Sequence, residues 1–487
     1  MRPSPPVVAA FLIALVFSAL PRLPARAQAA QSPGSETAGR LTLSTKSPDA
    51  KTEFWKGMEN WQTGAYTSAT RHFRRAHEMD KDFALARLLA MGDRGAGDNP
   101  VERDRAVADA ARQSAEEGLF ALMWREKSFG NPARTKAMLA AAMQLMPNEP
   151  SVAVEWLWIS SGEAKDAKVA LDSARVWRTR FANYAPVVFP ISFLDLAVGD
   201  TAGALRAAEE YTRLAPGTGA AFGNYGFLLQ QVGRYDEAEA QYRKGMALST
   251  HPDYGWDPSG ALAEMYMLRG RYTDARAVTT QALARAADAG DSALYLSQLA
   301  GTHFATGDSR RGLQLLEQAR QKSPTVGSSQ NPQPLDYILA EANAIYGDPN
   351  TMRSYLGRIR AQNATDSAIL AANYAFDYAY AGQLDSAMAY SDRLEKFTTV
   401  PWTGGWAHRG RGVALANAKQ CARAQGELTQ AAGAASPQVR LARAECELQS
   451  GNRTAALALR DQAMTSLDFA IFGPASVRER VRLAQMK

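Results

Sequence analysis

Along most of this chain apolar residues recur three and four positions apart, the spacing that places them on one face of an α-helix. The runs come in pairs, parted by a short polar turn that carries a glycine. YGFLLQQVGRYDEAEAQYRKGMAL, residues 225 to 248, shows the unit. Small residues stand at Gly226, Gly233, Ala238 and Gly245, and aromatics at Tyr225, Tyr235 and Tyr242. The pattern predicts helix, turn, helix. Gly233 supplies a backbone conformation at the first helix's C-terminus that side chains resist. Alanine or glycine sits where the helices cross, because a larger residue would hold the axes apart. The aromatic after the turn is expected to fill the wedge beneath them.

Aligned on that glycine, the grammar returns. GAYTSATRHFRRA carries Gly64, Tyr66, Ala69, Phe73 and Ala76, and GRYTDARAVTTQA carries Gly270, Tyr272, Ala275 and Ala282. GDSRRGLQLLEQARQKSP, GQLDSAMAYSDRL and GNRTAALALRDQA repeat it from Gly307, Gly382 and Gly451. Seven residues before these turn glycines, and before Gly233, stand Gly57, Gly226, Ala263, Ala300, Ala375 and Ala444. Weaker copies lie at Gly199, at Gly347 and in CARAQGELTQAAGAASP, and from Gly199 to Gly451 the turn recurs every 32 to 40 residues.

This grammar resembles the tetratricopeptide repeat, whose period is about 34 residues. The resemblance covers residues 50 to 83 and 187 to 465, and is strongest over 219–250, 256–288 and 293–324. It implies an all-α fold, with helical hairpins stacked into a right-handed α-solenoid superhelix. Residues 84 to 118 depart from it with the insertion MGDRGAGDNP, and 119 to 186 keep only fragments such as AAAMQLMP. The phrasing of SPDAKTEFWKGMENWQTGAYTSATRHFRRAHEMDKDFALAR is also similar to the first repeat of exported bacterial tetratricopeptide proteins. That likeness implies an envelope protein with no assigned chemistry.

The N-terminus changes the picture of where such a scaffold works. A positive start at Arg2, an apolar run from Val7 to Leu20 and the small-x-small triplet Ala25-Arg26-Ala27 read as a cleavable signal peptide over 1–27. The expected location is periplasmic or secreted. Residues 28–48, rich in Gln, Ser, Gly and Thr, read as a flexible linker. Partly degenerate repeats are then expected over 49–186, the regular array over 187–465, and a C-terminal capping helix over 466–487. The terminal RERVRLAQMK either caps the array or docks onto another copy. Processing removes Arg2, Arg22 and Arg26, so the net charge of +6 falls to +3. The remaining charges of both signs alternate along helical faces, a solvated surface rather than a phosphate-binding stripe. Nucleic acid is not an expected partner, and no stable membrane span is expected after cleavage.

No motif for catalysis, cofactor or metal emerges. His72 and His77 stand about 140° apart on a helix, no His-Glu-x-x-His spacing exists, and GRGVAL lacks both a third glycine and a preceding strand. Cys421 and Cys446 are the only cysteines. They fall at the same end of neighbouring antiparallel helices, where a disulfide or two small buried thiols are the alternatives.

A stacked array of this kind binds on its concave face, lined by first helices. The register projects Phe227, Gln230, Glu264, Phe304, Tyr337, Glu341, Phe376, Tyr380, Trp406, Arg409 and Glu445 toward it. Aromatics mixed with carboxylates suit a peptide or a patch on a partner protein. The favoured reading is an exported adaptor with no catalysis and no cofactor. Beside it stand a small-ligand or glycan receptor using Trp402 and Trp406 in the same groove, and an all-α toroid enzyme, against which the short period argues. Self-association into a homo-oligomer is open.

Overall fold

The computed structural model describes residues 39–92, 99–130, 132–161, 167–249, 257–286, 288–326, 333–431, 436–464 and 472–486. The expected signal peptide over 1–27 lies outside them. The described residues form two compact units, one up to Pro258 and one from Ser259 onward.

The first unit contains α1 (Pro48–Gln62), α2 (Tyr66–Met79), α3 (Ala84–Ala90), α4 (Pro100–Gln113), α5 (Ala115–Phe129), α6 (Pro132–Leu145), α7 (Pro150–Ser161), α8 (Ala167–Arg180), α9 (Ala185–Ala197), α10 (Thr201–Leu214), α11 (Gly219–Gln231) and α12 (Tyr235–Leu248). The second contains α13 (Pro258–Leu268), α14 (Tyr272–Ala284), α15 (Ala289–Ala305), α16 (Ser309–Lys322), α17 (Leu335–Tyr346), α18 (Pro349–Leu356), α19 (Ala364–Tyr380), α20 (Leu384–Glu395), α21 (Thr403–Asn417), α22 (Cys421–Gln430), α23 (Pro437–Gln449), α24 (Arg453–Met464) and α25 (Pro474–Gln485). Between α16 and α17, β1 (Thr325–Val326) pairs antiparallel with β2 (Gln333–Pro334), Thr325 opposite Pro334.

The turn grammar has its expected cause. Gly233 sits at φ +78°, and its counterparts in the strong copies share the left-handed region. The Arg234 amide reaches back to the Leu229 carbonyl at 2.9 Å, satisfying a carbonyl that the helix end would otherwise orphan. In the weak copy between α21 and α22 the same position is Lys419, at φ 60°. The turn geometry therefore persists there against a side-chain penalty of about 1–2 kcal/mol.

Crossings are close for the reason the small residues implied. A Cβ on Gly226 would stand 2.8 Å from the Tyr242 ring, and one on Gly57 2.6 Å from the Phe73 ring. These rings fill the space between paired helices; Tyr242 is fully buried. The aromatic just after the turn does not act as expected. Tyr66 and Tyr235 are exposed at the N-termini of α2 and α12, and the wedge is filled seven residues later, by Phe73 and Tyr242.

The end of the expected linker is also corrected. Residues 39–47 are held on the first unit by backbone donors that meet carboxylates. The Leu41 amide donates to Glu149 at 3.1 Å and the Ser44 amide to Glu117 at 2.7 Å, while the Thr45 hydroxyl donates to Asp80 at 2.5 Å. Leu41 itself joins the core with Phe54, Phe73, Phe83 and Phe120. Gln62, at the end of α1, donates to the Ser151 carbonyl at 3.1 Å and also pairs with the Tyr184 hydroxyl, so the end of α1 lies against α7 and against the residue that precedes α9. Trp158, Phe189, Phe193 and Tyr211 continue the core, with ring centroids 5.0–5.7 Å apart.

Candidate functional site

Within the second unit α15, α17, α19, α21 and α23 are the first helices of successive hairpins, the layer expected to bind. The structure places α25, the chain's own last helix, against this layer. Pro474 at its first turn suits a helix start, where the missing amide is orphaned anyway. One end of α25 buries Leu483 beside Leu441 and Ala463, with Met486 packed against them, covering the final hairpin. The other end runs on along the inner helices, so α25 is more than the cap expected over 466–487; residues 466–471 lie outside the described residues.

Three of the side chains projected toward the concave face hold this helix. The Glu341 carboxylate, on α17, accepts the Ala475 amide at 2.8 Å, a favourable place for an anion at a helix N-terminus. The Tyr380 hydroxyl, on α19, lies 2.5 Å from Glu479 Oε1, and the Arg478 guanidinium stands over the Tyr380 ring at 5.3 Å. Glu445, on α23, pairs with Arg482. Arg409, on α21, stands over the Phe376 and Trp406 rings at 5.2 and 5.1 Å, and its charge also acts on Glu479.

Other contacts of α25 were not foreseen. The Tyr346 hydroxyl donates to the Pro474 carbonyl at 3.3 Å, and its ring stacks on Phe304 at 4.5 Å. Gly301, inside α15, admits the Phe472 backbone: a Cβ there would meet the Phe472 carbonyl oxygen at 2.6 Å. A glycine within a helix and away from any turn was the available signal.

The electrostatics of the seat are uneven. Glu479 is 1% exposed, and burial pushes its carboxyl up to about 8 against the opposing pull of Tyr380, Arg478 and Arg409. Asp377, one turn before Tyr380 and 1% exposed, is pushed well above the usual carboxylate range by burial and by nearby Glu341. Its Oδ2 atom and Glu479 Oε2 find no hydrogen-bond partner among the described residues. Burial also raises Glu445, with Arg482 and Arg478 pulling the other way.

Several projected residues belong elsewhere. Gln230 is buried, accepting the Tyr242 hydroxyl at 2.9 Å, and Phe304 is buried against Tyr346 and Gly312; neither can reach a partner. Phe227 lies 5.9 Å from Phe193 and packs with Leu228 and Tyr225 in the first unit. Phe376 and Trp406 meet edge to face at 5.6 Å, and Trp402 closes on Trp406 at 5.7 Å, a loop-to-helix plug rather than an open stacking platform. Tyr337 is half-buried, pushed up to about 12 by burial, and Glu264 is half-buried, pushed up to about 7 by burial.

Cys421 and Cys446 are joined by a disulfide that ties the start of α22 to the end of α23, with Cα atoms 5.2 Å apart. Among the described residues no three His, Cys, Asp or Glu side chains are grouped to hold a metal ion. No described helix is long and apolar enough to cross a membrane.

No protein-family model matches the chain, and no curated protein matches it. Solved structures with a similar path include a tetratricopeptide repeat protein from Parabacteroides merdae, 13% identical over 62% of this chain and 98% of its own, with a TM-score of 0.34. Yeast Tom70 is 13% identical over 90% of this chain and 95% of its own, with a TM-score of 0.39. A thermophilic tetratricopeptide protein of Thermus thermophilus is 22% identical over 35% and 91%, with a TM-score of 0.31. At such scores the fold rests on the chain's own features: left-handed turn glycines, ring-against-glycine crossings and hairpin following hairpin. By these, each unit is an all-α stack of helical hairpins, similar in its turns and crossings to the tetratricopeptide repeat.

Proposed function

We propose that this protein is an exported, non-catalytic scaffold that binds a segment of a partner protein on the first helices of its second unit. The observation that carries the reading is α25. A three-turn helix lies along that layer, held at its N-terminus by Glu341, at mid-length by Tyr380 and near its end by Glu445. A surface that seats one helix through spaced polar contacts has the geometry to seat another. Export is supported by the sequence of residues 1–27 and by the Cys421–Cys446 disulfide, which persists in oxidising compartments. The glycan reading draws no support from the tryptophans, because Phe376 and Arg409 already occupy Trp406.

Photo-cross-linking tests the proposal. A benzophenone amino acid at Tyr337 or at Glu264, in the full chain, is exposed to envelope and secreted fractions of the source organism. A specific protein cross-linked at these positions, and not at the outer-helix position Tyr235, is the expected result. Links only between copies of the chain, or equal capture at Tyr235, would refute it.

A further inference from the structure

The inner face of the second unit is acidic where α25 sits. Glu341, Asp377 and Glu445 come from three of the four first helices α17, α19, α21 and α23, and Arg409, on α21, is the cation of that layer that acts on Glu479. The occupant answers with Arg478, Arg480 and Arg482. Arg482 meets Glu445, Arg478 covers the Tyr380 ring, and Arg480, 4% exposed, lies near enough to Tyr272 for its charge to act on that phenol. This is charge complementarity between a groove and a helix.

One residue breaks it. Glu479 brings a fourth carboxyl into the set, buried, near Glu341; among the described residues it has a single hydrogen bond, from Tyr380, and its second oxygen has no partner. Asp377, which also lies near Glu341, is equally buried and has an oxygen with no hydrogen-bond partner among the described residues. A buried carboxyl left with one donor where water offered several is a standing loss. The seat would be better filled by a helix with a donor at that position. An amide or an amine there could serve Tyr380 and the acids together.

We propose that the second unit's inner face is a receptor for basic amphipathic helices, that α25 is its imperfect resident, and that a partner helix carrying an amide or cation where α25 carries Glu479 displaces it. The inference rests on the scaffold reading and names its partner's chemistry. Until a partner arrives, α25 shields the groove; when it arrives, α25 is released.

Two fluorescently labelled synthetic peptides of residues 472–486 test this, one of natural sequence and one carrying Glu479→Gln. Each is titrated into the full chain with anisotropy as the readout. Hydrogen exchange of the chain's own 474–485 segment is followed in the same mixtures. The substituted peptide is expected to bind at least tenfold more tightly than the natural one, and to raise exchange of the resident helix at saturation. A second chain, Val477→Asp, removes a buried anchor of α25 and is expected to bind both peptides more tightly than the wild type does. Circular dichroism shows whether its hairpins remain folded; if they do not, Arg482→Glu, which sets like charge against Glu445 at a partly exposed site, replaces it. Equal binding of the two peptides, or binding with no change in resident-helix exchange, overturns the proposal. So does absence of binding to a folded chain whose own helix is released. In any of these cases cross-links from a partner at Tyr337 would still uphold the scaffold reading, so the two failures are distinguishable.

Discussion

Glu479→Gln is the single substitution with the largest calculable consequence. In the docked helix this carboxyl is pushed from 4.5 to about 8, with burial as the first cause. Tyr346, Tyr380, Glu341 and Arg409 face it from the inner helices, and Arg478 and Arg482 act from its own helix. Docking therefore takes up a proton. Its contribution is fully present below about pH 4.5, declines as the free carboxyl ionises, and is lost as pH passes through about 8. At pH 7 the docked group stays protonated roughly 2.5 units above its ordinary value, which at ~1.4 kcal/mol per unit costs about 3 kcal/mol. Glutamine keeps an oxygen for the Tyr380 hydroxyl and carries no ionisable proton, so it removes this cost. Hydrogen exchange of residues 474–485 reads the difference directly. At pH 7 the variant should exchange roughly 100-fold more slowly than the wild type if opening is local undocking. The gap should narrow to roughly fourfold at pH 5 and close below about pH 4, where the wild-type carboxyl is protonated in both states. Equal protection at pH 7, or a gap that widens on acidification, would refute the reasoning.

Three further outcomes are expected. Gly301→Ala drives a Cβ to 2.6 Å from the Phe472 carbonyl oxygen, so it should accelerate exchange in 474–485 while leaving the α15–α16 hairpin protected; loss of protection in both would refute a local effect. Reducing the Cys421–Cys446 bond, or replacing both residues with serine, should lower the stability of the last hairpins by about 3 kcal/mol for a loop of this size. Denaturant unfolding with and without reductant measures it, and two free thiols in the unreduced denatured chain would show that the bond is absent. Arg411, 6% exposed, is clasped by Asp392, Glu395 and Glu427 at 3.0–3.1 Å. Arg411→Met should cost about 2 kcal/mol, because charge-assisted bonds joining α20, α21 and α22 are lost, and an unchanged denaturation midpoint would contradict that.

What could be read from the sequence is what the chain must do locally. A left-handed turn and a close helix crossing each demand a particular residue at a particular position, so Gly233 and Gly226 announced themselves. The demand is on geometry rather than on glycine as such, which is why Lys419 could take the turn position and weaken the signal there. Tyr66 and Tyr235 misled because an aromatic after a turn says nothing about which way its ring leans. The helical register placed Glu341, Tyr380 and Glu445 on the inner layer, yet it also selected Gln230 and Phe304, which lie one face over and pack between paired helices. A register resolves position around a helix only to about 100° per residue, too coarse to separate lining from packing. The destination of α25 was beyond it altogether. Its short run of arginines and valines reads as a surface helix, and only the assembled layer of first helices shows where its buried side belongs.

The two segments that close over their units differ in how completely their carboxyls are served, and that difference argues for different roles. On the first unit, Glu149 accepts the Leu41 amide, the Ser151 amide and the Ser151 hydroxyl, at 2.7–3.1 Å. With three donors this buried carboxylate is fully served, and it holds residues 39–47 by interactions that solvent would have to replace in full. On the second unit, Glu479 has one donor and Asp377 Oδ2 has none among the described residues. The same residue type thus acts as a fastener in one place and as a standing defect in the other. If α25 were permanent structure, an apolar or amide side chain at position 479 would serve better at no cost to the fold. Its retention of a carboxyl there fits a helix that must be able to leave. The contrast is measurable in a single exchange experiment on the wild-type chain. Amides 41–45 should open with the core of their unit, whereas 474–485 should open first and more readily as pH rises from 5 to 8, after correction for the intrinsic rate. Co-opening of 474–485 with α23 and α24 across that range would make it an ordinary structural helix, and the acidic groove would then have no vacancy to offer a partner.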